Sequence, residues 1–263
     1  MRVMYQRYAP IYRRMNQGAW SERMAYWTLA WLRARGVDSG QLVDWGCGDG
    51  AAAVVFANAG WQVLGIDQSP TMLQLAAQRT PKEAHALRWE RGDLRRTWAG
   101  NPGRLATAFY DTLNYLATLA DLQAAWQTLA HSVQSGGYVV VDVNTPYEYA
   151  TAWTGQHVIT ADTDDVLVIN RLRYNARSGI ARGRVVWFAR EDADEQWRRG
   201  AETHIQRAHT DAEMVSAIEQ AGLSLLERHT PHGAEPSATS TRLIYIAHKP
   251  GRASGSSSTV RRQ

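Results

Sequence analysis

One stretch, QLVDWGCGDG at residues 41–50, constrains the fold of this chain more than any other. A short apolar run ends in Asp44, and an alanine-rich run follows as far as Ala59. Between them lie three glycines at alternate positions, namely Gly46, Gly48 and Gly50. The pattern predicts a strand, a tight turn and a helix, because glycine lets the backbone turn sharply and approach a ligand. The free N–H groups at the start of that helix would point at the ligand.

A second acidic residue ends the next predicted strand. That strand runs from Trp61 to Ile66, and Asp67 follows it. In nucleoside-binding α/β folds, an acidic residue about 20 residues after the glycines accepts hydrogen bonds from ribose hydroxyls. The two features together predict a nucleoside cofactor at the carboxyl edge of a parallel sheet. The glycines alone leave open an ordinary strand–helix turn with a surface aspartate nearby.

The run from Asp44 to Gly50 fits the pattern [DE]-x-G-x-G-x-G, with Cys47 in its G-C-G core. It resembles motif I of the class I S-adenosylmethionine-dependent methyltransferases. The resemblance implies that S-adenosyl-L-methionine is the cofactor and that the loop wraps its methionine part, with Asp44 near the amino group. An acidic residue suits a cationic group there and would be poorly placed against a pyrophosphate.

The resemblance continues in three further segments, RGDL at 91–94, AFYDTLNYL at 108–116 and DVNTPY at 142–147. The last two are similar to a group of small-molecule methyltransferases that includes sugar N-methyltransferases. The cofactor-binding residues that this likeness implies are Tyr8, Asp44, Gly46, Cys47, Gly48, Gly50, Asp67, Gln68, Asp93, Leu94, Phe109 and Asn114. It also implies catalytic roles for Asp111 and Tyr110 and substrate contacts from Asn144 and Tyr147.

The fold that the resemblance implies is α/β: a Rossmann-like, doubly wound, seven-stranded mixed sheet of order 3-2-1-4-5-7-6. Residues 1–249 would form this domain, with 1–40 as an N-terminal helical cap that carries a tyrosine stripe. Residues 156–207 alternate like strands and predict an antiparallel β-meander, so that residues 150–208 would form a lid inserted after strand 5. We expect Ser135–Gly137 to end the preceding helix and Tyr138 to Val143 to form strand 5. The Gly-, Ser- and Arg-rich residues 250–263 predict a disordered tail.

Bulk composition limits the remaining function classes. Cys47 is the only cysteine, no apolar run approaches the roughly 20 residues of a membrane span, and the N-terminus lacks an apolar signal core. We therefore expect a cytoplasmic protein without membrane association. The net charge of +4 is spread over short arginine clusters, a pattern that argues against a nucleic-acid partner. No metal-ligand spacing is present, and the sequence carries no signal for oligomeric state.

The function that the sequence predicts is transfer of a methyl group from S-adenosylmethionine to an N or O atom of a small molecule. An oxygen acceptor needs a general base, and an ammonium must lose a proton before attack. No histidine lies in a recognised catalytic motif, so His157, His204, His209, His229 and His232 are each interpreted as structural or exposed.

Two alternatives remain open at this point. Gly46, Gly48 and Ala51 also satisfy the dinucleotide pattern G-x-G-x-x-G/A of an NAD(P)-dependent oxidoreductase, although no Tyr-x-x-x-Lys stands near strand 5. A non-catalytic protein that binds S-adenosylmethionine as a sensor or scaffold would keep the same glycines and aspartates.

Overall fold

Two β-sheets organise the chain in the computed structural model, which describes residues 4–81, 86–96, 100–190 and 196–251. The described residues end at Gly251, so the rest of the predicted disordered tail, residues 252–263, lies outside them. The helices are α1 (Ala9–Arg14), α2 (Ala19–Arg33), α3 (Ala51–Asn58), α4 (Pro70–Arg79), α5 (Leu119–His131), α6 (Pro146–Ala152) and α7 (Asp211–Gln220), with a 3-10 helix at Thr112–Tyr115. The strands are β1 (Gln41–Trp45), β2 (Gln62–Asp67), β3 (Leu87–Arg91), β4 (Gly103–Ala108), β5 (Val133–Asn144), β6 (Thr154–Asp162), β7 (Val166–Asn175), β8 (Ile180–Arg190), β9 (Trp197–Arg207), β10 (Ser224–His229) and β11 (Arg242–His248).

The larger sheet has the order β3-β2-β1-β4-β5-β11-β10. Strands β1 to β5 pair in parallel, and β11 pairs antiparallel with both β5 and β10. This is the predicted order 3-2-1-4-5-7-6 once the four strands of the other sheet are left out of the count, so the prediction is confirmed. The central strands are apolar along their length because helices cover both faces.

The second sheet, β6-β7-β8-β9, is entirely antiparallel and confirms the predicted meander after strand 5. One face packs against the N-terminal segment, where Tyr8, Ile11 and Tyr12 share a buried cluster with Val168 and Trp187. Among the helices in the described ranges, none combines the length and the apolar character that crossing a membrane requires.

Local structure departs from the sequence-based expectation at three places. Helix α1 begins only at Ala9, so Tyr5 precedes the helix. Pro10 lies in the first turn, where a backbone N–H would have no partner within the helix and its absence breaks no hydrogen bond. Ser135–Gly137 belong to β5 rather than ending a helix, because Gly136 N donates to the Lys249 carbonyl at 2.8 Å. Helix α6 was not predicted, although Thr145 caps it by accepting from Glu148 N at 3.3 Å.

Candidate active site

A cavity of about 980 Å³, counted with the solvent at its mouth, lies where β1, β2 and β4 end. This is the edge at which ligands bind in open α/β sheets. The predicted site residues that line it are Gly46, Cys47, Gly48, Asp67, Gln68, Leu94, Phe109 and Tyr110. The structure thus brings together residues that are separated by up to 64 positions in the chain.

The glycine loop forms a cradle that side chains would fill. Gly46 and Gly48 have φ of +65° and +57°, a backbone region that favours glycine. A Cβ on Gly46 would lie 2.5 Å from Thr112 Oγ1. Gly50 immediately precedes α3 with φ of +79°, and a Cβ there would lie 2.7 Å from the Trp89 ring. At both Gly46 and Gly50 a side chain would collide with a neighbouring side chain of the protein, so the packing around the loop requires glycine.

Asp67 at the end of β2 holds this loop against the next turn. Its Oδ2 accepts from Gly48 N at 3.0 Å, and its Oδ1 accepts from Ser69 N at 2.8 Å. Burial raises the pKa of Asp67 above its ordinary value, although these hydrogen bonds oppose the shift. Asp67 lines the cavity, and because a carboxylate oxygen can accept more than one hydrogen bond, the side chain can also accept from a ligand hydroxyl.

Asp44 at the base of the loop has an unsatisfied oxygen. The residue is 2% exposed, and its Oδ1 accepts from Thr107 Oγ1 at 2.7 Å. Its Oδ2 is buried and makes no hydrogen bond. Burial raises the pKa of Asp44 to about 7, since a charged carboxylate without a partner is disfavoured there. Asp44 is not among the residues that line the cavity, so a cationic group could satisfy Oδ2 only from beside the glycine loop.

Tyr110 and Asp111 form a strained turn after β4. Both have φ of 55°, in the left-handed region that non-glycine residues rarely adopt, at a cost of roughly 1–3 kcal/mol each. Tyr110 N donates to Asp142 Oδ1 at 2.7 Å, and Thr112 Oγ1 donates to the Phe109 carbonyl at 2.8 Å. Tyr110 lines the cavity.

Asp111 lies in a buried network that the sequence did not predict. Its Oδ1 accepts from Arg242 at 3.0 Å, and its Oδ2 accepts from Gln206 Nε2 at 2.5 Å. Arg242 also pairs with Asp142, and its guanidinium lies 4.8 Å from the centre of the Trp20 ring. Burial raises the pKa of Asp111, while Arg242 opposes the shift. One cation is thus shared between two buried carboxylates.

Asn114 and Asn144, predicted to touch cofactor and substrate, form a backbone clamp. The Asn114 amide donates to the carbonyls of Asn144 at 3.1 Å and Arg207 at 2.9 Å. Its Oδ1 accepts from Asn144 N at 2.9 Å, and the side chain has no exposed surface. The clamp joins the 3-10 helix to the ends of β5 and β9, and it holds the second sheet against the larger one.

The remaining predicted residues, Tyr8, Asp93 and Tyr147, have other surroundings. The Tyr8 hydroxyl accepts from Gln17 at 2.8 Å, and its ring lies 5.3 Å from the Trp187 ring. Asp93 accepts from Arg95 at 2.5 and 2.9 Å; burial raises its pKa, but these bonds prevail and leave it lowered. Tyr147 on α6 is 38% exposed.

Four tyrosine side chains form one wall of the cavity. The N-terminal segment and the loop after β4 supply them. They belong to Tyr5, Tyr12, Tyr110 and Tyr115. Tyr5 and Tyr115 were not predicted as site residues, although Tyr5 belongs to the N-terminal tyrosine stripe and Tyr115 lies in the AFYDTLNYL segment. Burial raises the pKa of Tyr110 to about 12 and that of Tyr115 well above its ordinary value. These side chains are therefore neutral hydrogen-bonding groups at neutral pH.

Two residues of β9 reach this wall from a distant part of the chain. Glu202 accepts from the backbone N–H of Tyr5, of Arg7 at 3.0 Å and of Tyr8 at 3.2 Å. His204 Nδ1 lies 3.0 Å from the Tyr115 hydroxyl. No local motif marks these β9 residues. Within the described ranges, no group of three or more His, Cys, Asp or Glu side chains is arranged to hold a metal ion.

Known proteins resemble this chain in both sequence and fold. A family model described as a methyltransferase domain matches residues 42–137, the half of the sheet that carries the glycine loop and Asp67. The chain is a methyltransferase. A putative methyltransferase, YqeM of Bacillus subtilis (strain 168), is 26% identical over 253 residues, 94% of this methyltransferase and 98% of that relative.

Two further relatives extend the comparison. The dTDP-3-amino-3,4,6-trideoxy-alpha-D-glucopyranose N,N-dimethyltransferase of Streptomyces venezuelae is 27% identical over 193 residues, 73% of this methyltransferase and 78% of that relative. A solved S-adenosylmethionine-dependent methyltransferase from Clostridium acetobutylicum ATCC 824 has a TM-score of 0.80 at 18% identity, covering 94% of this chain and 99% of that one. These findings support methyl transfer over hydride transfer and over a non-catalytic binding role.

Proposed function

We propose that this methyltransferase transfers the methyl group of S-adenosylmethionine to the amine nitrogen of a small polar molecule. The observation that carries the proposal is the wall of four tyrosines, Tyr5, Tyr12, Tyr110 and Tyr115, in the same cavity as the glycine loop. The ring faces attract a cationic ammonium, and the hydroxyls can orient it by accepting hydrogen bonds.

The charges behind this wall favour the same acceptor. Glu202 accepts from the backbone N–H of Tyr5. Burial raises the pKa of both Tyr5 and Tyr115, and the charge of Asp111 adds to the shift. A carboxylate that disfavours a phenolate favours a cation by the same interaction. An amine that enters as an ammonium would be held there until it loses its proton.

The relatives support an amine acceptor independently. The relatives from Streptomyces venezuelae and Streptomyces fradiae are both named as N,N-dimethyltransferases of dTDP-linked 3-amino sugars. An amino sugar carries an amine on a small polar ring, which agrees with the phenol-lined wall. A hydroxyl acceptor, the other half of the sequence-based prediction, would need a strong base, and phenols of raised pKa do not provide one.

The cofactor roles of individual residues belong to the proposal too. Asp67 would accept from the ribose hydroxyls, and Asp44 would bind the ammonium of the methionine part. The backbone of Gly46–Gly48 would lie against that same methionine part. Leu94 would contact the adenine ring. The buried, unpartnered Oδ2 of Asp44 and the position of Gly46, Gly48 and Asp67 on the cavity wall support these assignments.

Tyr110 and Asp111 take different parts in this proposal. The Tyr110 phenol would contact the acceptor, because it lines the cavity and stays protonated. Asp111 would act as a positioning residue that fixes the strained turn through Arg242. Residues 150–208 would contribute to the site as a lid through Glu202, and the single cysteine supports a cytoplasmic location.

The test is a panel of matched acceptors assayed with S-adenosyl-[methyl-14C]methionine. The panel pairs dTDP-linked 3-amino sugars with dTDP-glucose, and simple alkylamines with the corresponding alcohols. The proposal expects label on the amines and none on the alcohols. Label on alcohols alone would refute it, and so would the absence of label on every amine of the panel.

A phenol variant with a matched control tests the tyrosine wall. Tyr110→Phe should lower kcat/KM for the amine about 10-fold, the loss of one hydrogen bond of about 1–1.5 kcal/mol. Tyr26→Phe alters a tyrosine that is 64% exposed on α2 and should change nothing. Equal rates for the two variants would remove Tyr110 from the acceptor site.

A further inference from the structure

A chain of hydrogen-bonding groups leads from the cavity to a buried histidine. Tyr5 and Tyr115 both line the cavity, and their hydroxyls lie 2.8 Å apart. The Tyr115 hydroxyl lies 3.0 Å from His204 Nδ1. His204 is 5% exposed, so its ring communicates with the cavity through these phenols.

Glu202 decides which nitrogen of His204 carries the proton. Its Oε1 lies 3.7 Å from His204 Nε2, and Nε2 makes no hydrogen bond. A bare nitrogen lone pair facing a carboxylate would be repelled, whereas an N–H there is attracted. The neutral ring therefore carries its proton on Nε2, and Nδ1 accepts from Tyr115.

This tautomer orients the whole chain in one direction. When Tyr115 donates to His204, its oxygen is left to accept from Tyr5. The Tyr5 oxygen is then left to accept from a group in the cavity. Each link thus has its donor on the cavity side and its acceptor on the histidine side.

Three other elements and β9 itself surround His204. The N-terminal segment supplies Tyr5, whose ring centre lies 4.7 Å from that of His204, and Tyr8 at 6.1 Å. The 3-10 helix supplies Tyr115, and β8 places Gly183, which has no side chain, opposite the histidine. The titratable and charged groups that face the ring are Tyr5, Tyr8, Tyr115 and Glu202.

We propose that His204 receives the proton that the acceptor amine loses, relayed through the hydroxyls of Tyr5 and Tyr115. The proposal rests on the proposed amine acceptor. His204 does not touch the acceptor, so it is a positioning and proton-holding residue rather than a catalytic one.

The step balances in atoms and charge. The ammonium gives a proton to Tyr5 Oη, Tyr5 gives its own proton to Tyr115 Oη, and Tyr115 gives its own to His204 Nδ1. The amine is left neutral with its lone pair free, and His204 becomes an imidazolium whose Nε2–H faces Glu202. S-adenosylmethionine, when bound, supplies an electrophilic methyl group whose C–S electron pair stays on sulfur.

The ionisation of His204 suits this role. Burial lowers its pKa below the ordinary imidazole value, and Glu202 opposes the shift without cancelling it. The ring is therefore neutral at pH 7 and has Nδ1 free to accept. Formation of the imidazolium beside Glu202 converts a contact with a neutral ring into an ion pair, which stabilises the product of the relay.

The pH dependence of kcat separates a relay from a structural role. In the wild type, kcat for an amine acceptor should fall roughly tenfold per pH unit below the His204 pKa, because the imidazolium cannot accept. His204→Gln should lower kcat at pH 7 by about 100-fold or more and abolish this acid limb. The control His157→Gln changes an exposed histidine of β6 and should keep the wild-type profile. A His204→Gln profile that is lowered equally at every pH, with the limb intact, overturns the proposal.

Tyr115→Phe interrupts the same relay without touching His204. It should also lower kcat and abolish the acid limb, and retention of the limb overturns the relay. This variant serves if His204→Gln fails to fold.

A measurement without turnover separates failure of the relay from failure of the proposed acceptor. Histidine 15N NMR on the protein bound to S-adenosylhomocysteine should show His204 protonated on Nε2 at pH 7, with Nδ1 accepting a hydrogen bond. A proton on Nδ1 overturns the relay even when amines are methylated. The expected tautomer in a protein that methylates no amine supports the hydrogen-bond chain and refutes the proposed acceptor class.

Discussion

The buried carboxylate of Asp44 makes cofactor affinity depend on pH. In the free protein its pKa is about 7, because it is buried with Oδ2 unpartnered. An ammonium beside Oδ2 favours the charged carboxylate and lowers that pKa. Binding of S-adenosylhomocysteine therefore releases a proton below pH 7, and its affinity should rise with pH up to that point and then level off.

The magnitude follows from one linked proton. Well below pH 7 the association constant should rise about tenfold per pH unit, so from pH 5.5 to pH 7.5 it should rise roughly 20- to 30-fold, or about 2 kcal/mol. Isothermal titration calorimetry across this range measures the affinity. Repetition in buffers of different ionisation enthalpy counts the released proton.

Three variants make the test specific. Asp44→Asn cannot ionise, so its affinity should be weaker and flat with pH. Thr107→Val removes the hydrogen bond that lowers the Asp44 pKa, so the plateau should move to higher pH. Asp162→Asn changes an exposed aspartate that ends β6 and should behave as wild type. A wild-type affinity that is flat from pH 5.5 to 7.5, or an Asp44→Asn variant with the wild-type slope, would refute the reasoning.

Three stability and binding predictions follow from other contacts. Arg242→Met leaves two buried carboxylates without their cation and should lower the free energy of unfolding by about 3–5 kcal/mol. The control Arg228→Met breaks an exposed ion pair and should lower it by less than about 1 kcal/mol. Chemical denaturation measures both losses, and equal losses would contradict the assignment. Gly46→Ala places a Cβ against a neighbouring side chain at positive φ and should abolish measurable S-adenosylhomocysteine binding in calorimetry; retained binding would disprove the cradle. Gly200→Ala puts a Cβ 2.1 Å from the Trp187 ring and should cost about 1–3 kcal/mol in thermal unfolding, while an unchanged transition would show that the ring moves freely.

The parts of the structure that the sequence predicted are those in which the conformation of a few consecutive residues requires particular residue types. The glycine loop needs positive φ at Gly46 and Gly48, and such positions are marked by residue type alone. The capping box of α7, in which Thr210 and Glu213 accept from each other's backbone N–H groups, can also be recognised from a four-residue pattern in the sequence. The sheet order followed from resemblance to known methyltransferases, and the alternating pattern after β5 predicted the meander.

The acceptor side was predicted less well because its contacts join distant parts of the chain. Arg242 pairs with Asp111 across 131 positions, and Glu202 fixes Tyr5 across 197. The sequence around Arg242 and around Glu202 does not distinguish either residue from an arginine or glutamate that is exposed to solvent. The sequence singled out Asp111 but not its partner Arg242, and with this partner the role that we propose for Asp111 is to hold a turn rather than to contact the acceptor.

The most direct test of the account is calorimetric titration of wild-type protein, Asp67→Asn and Asp162→Asn with S-adenosylhomocysteine. Asp67 accepts from the loop at Gly48 and is proposed to accept from the ribose, so replacing its charge should cost about 1.5–3 kcal/mol. The account predicts binding that is about 10- to 150-fold weaker for Asp67→Asn and unchanged for Asp162→Asn. Equal affinity for all three proteins would contradict the placement of the cofactor in this cavity.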